Sequence, residues 1–334
     1  MSQNNNCLFQ DASNREFRKK LSYAEPDELL KWLGNSEFLV VEEGQHFPEL
    51  KMHLTRVMEI LPEIRILVAE SAQFNPQTEY SEKFSNLKLF PLSWVELEKT
   101  VEYESGNTAL EQRLIFGMYP GVIQNKGYEK EELAKIISRD LLKDILDLSG
   151  IRKPDELERL LRILALKIGE EITFNDLGRM IEVDKNTVIH YLDLLEKSFV
   201  IFRLDALSRN FSNEVSDCRK YYFYDTGIRN AIILNFNSRE FRQDWDALWE
   251  NFLIAEKIKS NAYKAIWADS FFWRTYQKQS IDYLEETTAG INAWKFKWKQ
   301  LKKEKFPLSF KNAYPGTVFE VLTQENFRSF LGMD

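Results

Sequence analysis

The alternation of short apolar runs with helical stretches over the first hundred residues constrains this chain most. FLVV at 38–41, IRILV at 64–68 and LKLF at 87–90 have the length and side chains of buried strands. CLF at 7–9 is a further candidate. Helical patterns occupy Pro26 to Leu33 and Leu50 to Leu61. Strands alternating with helices imply a parallel sheet with crossovers. The first segment, residues 1–100, is therefore read as a parallel α/β layer.

Three further segments follow. Residues 101–151 read as helical, with a loop at 104–107, a turn at Tyr119-Pro120-Gly121 and an apolar helix around Leu133 to Leu148. Residues 152–205 carry three amphipathic helices and a strand. Leu157, Leu160, Leu161 and Leu164 form the first apolar stripe, Asn175 caps the second helix, and Asp184 opens the third, followed by a strand at 199–202. Helix, tight turn, helix and strand make a winged-helix pattern. Residues 206–334 hold YYFY at 221–224, a helix from Leu248 to Ile258, and strands at 271–275, 280–285 and 292–298.

Composition removes several function classes. With 334 residues, 44% hydrophobic and 29% charged, the chain fits a globular protein of several domains. A net charge of −7 disfavours a globally basic nucleic-acid binder. Two cysteines (Cys7, Cys218) and three scattered histidines make neither a disulfide framework nor a histidine metal site, so no metal ligand is assigned. The start MSQNNN lacks the charged and apolar regions of a signal peptide, and no apolar run approaches a membrane span. The expectation is a cytoplasmic protein without a membrane partner.

Four apolar residues ending in Glu42 and Glu43 have the form of a Walker B strand, in which one acid orients magnesium and the next orients the attacking water. The following GQHFPEL at 44–50 sharpens this. Together they resemble the D-E-x-Q-x-x-P-E-L stretch of a bacterial and archaeal AAA-type ATPase family, which joins an ATPase module to a C-terminal domain of unknown function. RILVAES at 65–71 stands where that family has its sensor strand, LFPLSWVEL at 89–97 is similar to its L-x-P-L-S-x-x-E-L segment, and FGMYPGV at 116–122 is similar to its G-G-Y-P segment. The winged-helix region from Ile172 to Leu204, YFYDTGIRN at 222–230 and LWENF at 248–252 extend the resemblance over most of the chain.

The resemblance implies a fold and a set of departures from it. The fold is α/β: a truncated P-loop NTPase-like parallel sheet, a helical lid, a winged helix and a C-terminal restriction-endonuclease-like α/β domain. Active relatives use ATP and magnesium. This sequence contains no G-x-x-x-x-G-K-[ST], Glu42 replaces an aspartate, and Ala69 and Glu70 replace polar sensor positions, where Glu70 repels phosphate. Losing the central P-loop strand is expected to leave a gap or a rearranged sheet. A natural degenerate homologue and a truncated gene product are both open, and the drift at Glu42, Ala69 and Glu70 favours the first. No cofactor is expected.

A PD-(D/E)xK nuclease core needs a helix glutamate, a strand aspartate and Glu-x-Lys on the next strand, where alternation points acid and lysine the same way. Glu250, Asp282 and Lys297 fit three places, and Lys295 stands where the fourth, an acid, belongs. Magnesium binding is expected to fail or weaken, giving an inactive scaffold. For DNA, the exposed start of the third helix offers Lys185, Asn186 and Thr187, and Lys295, Lys297, Lys299, Lys302, Lys303 and Lys305 form a basic run interleaved with aromatics. Opposing readings are a winged helix used for packing or protein interaction, with Asp184, Asp193 and Glu196 on the same stretch, and a solvated lysine-guarded edge strand. Asp225 and Arg229 are expected to pair across a turn, with Gly227 supplying a positive φ. The function implied is a noncatalytic module whose partner is DNA or a protein. The alternatives are an active ATPase whose P-loop is missing from this gene product, and a metal-dependent nuclease.

Overall fold

The computed structural model describes residues 6–71, 84–100, 106–141, 145–146, 151, 153–209, 214–215, 217–299 and 304–333. The chain divides into two compact units, residues 1–87 with 144–150, and residues 88–143 with 151–334.

The first unit is a parallel three-stranded sheet in the order β1 (Cys7–Asp11), β2 (Phe38–Glu42), β3 (Arg65–Val68). Helices α1 (Arg15–Tyr23) and α2 (Pro26–Leu33) connect the first pair, and α3 (Leu50–Ile60) connects the second. Asn14 caps α1, and Glu25 with Glu28 forms a capping box with Pro26 at the first helical position of α2. Leu39 and Val41 are buried with Leu21, Leu29, Leu54 and Val57 in one core. The opposite sheet face carries Phe9 opposite Val40, itself opposite Leu67. Phe9 is 58% and Leu67 50% exposed, because α1, α2 and α3 pack on the other face, with Leu39 and Val41. The three strands pair directly, in sequence order, with no gap between them.

The second unit pairs helices with a six-stranded mixed sheet in the order β5-β4-β6-β7-β8-β9. The helices are α4 (Trp94–Glu98), α5 (Asn107–Phe116), α6 (Pro120–Gln124), α7 (Glu129–Lys135), α8 (Pro154–Leu166), α9 (Phe174–Ile181), α10 (Lys185–Lys197), α11 (Thr226–Ile232), α12 (Trp245–Tyr263), α13 (Leu308–Ala313) and α14 (Phe327–Phe330). The strands are β4 (Ile201–Ala206), β5 (Arg219–Phe223), β6 (Asp269–Arg274), β7 (Ser280–Thr287), β8 (Gly290–Phe296) and β9 (Val318–Leu322). Helices α8, α9 and α10 followed by the β4–β5 hairpin, with Ile172 bridging Arg219, have winged-helix order. Yet β4 also runs parallel to β6, so the hairpin is built into the C-terminal sheet.

Several local expectations are corrected. There is no strand at 87–90: Leu87 and Leu89 are 90% and 95% exposed, while Phe90 alone is buried, against Phe199, Tyr224 and Tyr263. Tyr119-Pro120-Gly121 starts α6, with Pro120 at its first position. The cap of α9 is Thr173, whose hydroxyl accepts from the Asp176 amide while Asp176 reaches back; Asn175 lies inside the helix. The helix expected around 133–148 is α7 continued by a π-helical stretch at Ile136–Leu141, and residues 142–144 and 147–150 lie outside the described set, as do 104–105. Strand β9 and helices α1, α4, α11, α13 and α14 have no counterpart among the elements expected from sequence. No helix among the described residues is long and apolar enough to cross a membrane.

Candidate functional site

At the carboxyl ends of the first sheet stand Asp11, Glu42, Glu43 and Glu70. Glu42 ends β2 opposite Asp11 and is exposed. Glu43 follows in a left-handed conformation, φ 57°. Its carboxylate accepts from Gln45 Nε2 at 2.8 Å, and the same nitrogen donates to Ser71 Oγ at 2.8 Å. Gln45 Oε1 in turn accepts from the Ser71 amide at 3.2 Å. Gln45 thus ties the end of β2 to the end of β3. Gly44 donates its amide to Ala69 O at 3.0 Å, and any Cβ there would lie 2.7 Å from Val68 Cγ1 and 2.9 Å from Glu70 Cγ. The residues that resemble Walker B and sensor elements are gathered on one rim, but as a hydrogen-bonded acidic rim.

In the second unit, two of the strongest motifs lock together. Asp225 caps α11, accepting from Ile228 N at 3.0 Å, and its other oxygen accepts from Met118 N at 2.6 Å. Asn230 Nδ2 donates to Leu114 O at 3.0 Å and Ile115 O at 2.7 Å, and Thr226 Oγ1 donates to Arg113 O at 3.2 Å. The backbones approach so closely that a Cβ on Gly227 would lie 2.8 Å from Gly117 N and nearer still to the Phe116 carbonyl. Gly227 has no positive φ, correcting the expectation; Gly117 does, at 76°. Arg229 pairs with Asp244, not Asp225, and also donates to Ala165 O at 2.6 Å. Burial opposes ionisation of Asp244, yet hydrogen bonds and charge from Arg242 and Arg229 hold its carboxyl at about 2.

The nuclease-like residues converge in part. Asn251 of the WENF stretch clamps β5, accepting from Phe223 N at 2.8 Å and donating to Phe223 O at 2.7 Å, which fixes Glu250 over that strand. On β7, three steps from Leu284 to Ile281 oppose two steps of β6, a β-bulge. Ile281 and Leu284 therefore both enter the core with Trp273 and Phe310, leaving Asp282 near Glu250 and Tyr283 against Phe296 and Phe330. Asp282 accepts from Phe296 N at 2.9 Å. Burial first, and then Glu250, push its carboxyl up to about 6, against the pull of Lys220, the Phe296 amide and Lys295.

The cation paired with Glu250 is Lys220, which sequence reasoning missed. Its Nζ lies 3.0 Å from Glu250 Oε1, the oxygen that also accepts from Tyr222 OH at 2.5 Å. Burial would lower the Lys220 pKa, but Glu250 and Asp282 outweigh it and raise it. Alternation on β5 was the available signal: Lys220 and Tyr222 share a face. Lys295 faces Glu304 at 3.5 Å. Lys297 offers its backbone amide to Leu322 O, and no contact of its side chain with Glu250 or Asp282 is found among the described residues. Trp294 and Phe296 pack on Phe330, and Trp298 packs on Trp245 and Trp249 of α12, while Lys299 is exposed. Lys302 and Lys303 lie outside the described residues. Among the described residues no group of three or more His, Cys, Asp or Glu is arranged to hold a metal ion.

On α10, Asp184 is the N-cap, accepting from Asn186 N at 2.8 Å, Thr187 N at 3.0 Å and Thr187 Oγ1 at 2.6 Å. Lys185 lies 6.0 Å from the centre of the Phe174 ring, and Asn186 is exposed. A cavity of about 390 Å³ runs along the helix, lined by Phe174, Ile189, Leu192, Asp193, Glu196 and Arg203 among others.

Residues 107–240 match one domain of unknown function (DUF8612) and residues 245–328 match another (DUF4143). Uncharacterized proteins of Mycobacterium bovis and Mycobacterium tuberculosis are each 25% identical over 284 residues, covering 83% of this chain and 61% of theirs. An uncharacterized protein of Haemophilus influenzae is 22% identical over 166 residues, 47% of this chain and 42% of its own length. The chain spans about 61% of the length of the curated mycobacterial relatives it matches. The boundary between the matched domains, at 240–245, falls just before α12.

Proposed function

We propose that this chain is a noncatalytic member of the AAA-type ATPase family it resembles, acting through protein–protein contact at the outward face of α10. One observation carries the reading. The start of α10, where a DNA phosphate would meet the positive end of a helix, is filled by the Asp184 carboxylate, and the groove beyond it joins apolar Phe174, Ile189 and Leu192 to Asp193, Glu196 and Arg203. Ile189, 39% exposed, is flanked by Asp193 and Glu196, which are paired with Lys197 and Arg203, so the groove offers an apolar surface with no surplus of cations for phosphates and suits a protein segment. Lys185, Asn186 and Thr187 are then cap and surface residues, and Lys295 and Lys299 guard a sheet surface.

The acidic rim of Asp11, Glu42, Glu43 and Glu70 supports the noncatalytic half of the reading, since it sets several negative charges where phosphates would have to lie. A second reading, a metal-dependent nuclease, draws on the buried Glu250–Asp282 pair; cleavage of DNA with magnesium that disappears in Asp282→Ala would establish it. The deciding experiment is fluorescence polarisation with labelled duplex DNA at low ionic strength, beside affinity capture with wild type, Ile189→Asp and Glu196→Lys. The expected result is no salt-sensitive DNA binding, and a protein partner retained by wild type and lost from both variants. Salt-sensitive DNA binding that weakens in Lys185→Ala or in Lys295→Ala/Lys299→Ala overturns the proposal.

A further inference from the structure

A nuclease-like core implies a divalent cation between its carboxylates, and the residues present do not fit one. We propose that Lys220 supplies, from within the chain, the positive charge that a divalent cation would bring to the Glu250–Asp282 pair, so that this core is metal-independent. The ammonium is a fixed part of the fold. It rises from β5, lies 5.4 Å from the centre of the Phe272 ring, and donates to Glu250 Oε1 at 3.0 Å beside the Tyr222 hydroxyl. Gly169, at φ 71°, passes so near that its Cβ would stand 3.5 Å from the same oxygen, closing the other side.

Charge arithmetic points the same way. Glu250 and Asp282 carry two negative charges and Lys220 one positive charge, while Lys295, close enough to act on Asp282, is itself paired with Glu304. A divalent ion added to this set would leave a net positive charge in a buried place, where such charge is costly. A magnesium or manganese site also needs several oxygen ligands in near-octahedral array. Here one Glu250 oxygen already takes two donors, and one Asp282 oxygen is committed to the Phe296 amide. The lysine head lies at the wall of a cavity of about 470 Å³, with Glu171, Arg274 and Ser280 among the other walls. Removing the ammonium therefore opens the pair to that space.

The inference deepens the noncatalytic reading and rests on it, and metal binding is read apart from DNA binding or cleavage. The experiment is a Mn²⁺ titration of the whole protein, followed by electron paramagnetic resonance and by thermal unfolding, for wild type, Asp282→Asn, Lys220→Met and Lys220→Met/Lys295→Glu. Wild type is expected to show no saturable binding and no Mn²⁺-dependent shift in Tm. The double variant is expected to bind one Mn²⁺ and to gain Tm on binding. Saturable wild-type binding that is lost in Asp282→Asn overturns the inference, even if the double variant fails to fold, and leaves the α10 reading standing. A folded double variant that binds no Mn²⁺ overturns it as well.

Discussion

Gly227→Ala offers a test in which two accounts of one glycine differ in sign. Gly227 lies in the first turn of α11 without a positive φ, so alanine meets no backbone penalty there and by helix propensity alone would stabilise by up to about 1 kcal/mol. The interlock of α5 and α11 says the reverse. The new methyl group would stand 2.8 Å from Gly117 N and closer to the Phe116 carbonyl, both backbone atoms, so the helices must part. Overpacking of this kind costs roughly 1–3 kcal/mol. Parting also strains the Asp225–Met118 and Asn230–Leu114/Ile115 hydrogen bonds, and losing one such buried bond costs about 1–3 kcal/mol more. The net expectation is a loss of roughly 3–5 kcal/mol, or about 10 °C in Tm for a unit of this size. Urea unfolding followed by tryptophan fluorescence and by circular dichroism measures it. A variant as stable as wild type, or more stable, refutes the close-approach account of both motifs.

Three other outcomes follow from the geometry. Asp244 is depressed to about 2, so its contribution is present above the unfolded carboxylate range and is lost as pH falls through about 2; acid titration of stability should show roughly 2 kcal/mol disappearing below pH ~4, and Asp244→Asn should flatten that segment. Asp282 is shifted the other way, up to about 6, so the folded protein holds its proton more tightly and stability declines as pH rises through that value; Asp282→Asn should be more stable than wild type at neutral pH and lose that advantage below pH ~4. In the first unit, Leu39→Ala removes a fully buried side chain and should cost about 2–5 kcal/mol, whereas Leu67→Ala, on the uncovered face, should cost under about 1 kcal/mol; equal costs would contradict the one-sided sheet.

The fold was legible where pattern and period agree. FLVV at 38–41 and Pro26 to Leu33 sit within a residue of β2 and on α2, because a short β-branched apolar run and a proline at the first helical position are local signals. LKLF at 87–90 has strand composition but no neighbouring strand to pair with, so only Phe90 found a core. Of the candidate sites, Glu250 and Asp282 came from the resemblance to a nuclease-like core, which puts one acid on a helix and the other on a strand that follows it. Lys220 could not, because its role arises from a contact 30 residues distant and from a bulge in β7 that spacing does not reveal. The Asp225–Arg229 pairing failed for a related reason: the charge nearest in sequence was engaged by the Met118 amide, and Arg229 found Asp244 instead.

The central claim is the proposal that this chain is a noncatalytic relative of the AAA-type family it resembles, and the acidic rim ending β2 tests it most directly. Isothermal titration of this chain with ATP and magnesium is predicted to show no saturable heat. Saturable, magnesium-dependent ATP binding that is lost in Glu42→Gln would contradict the account.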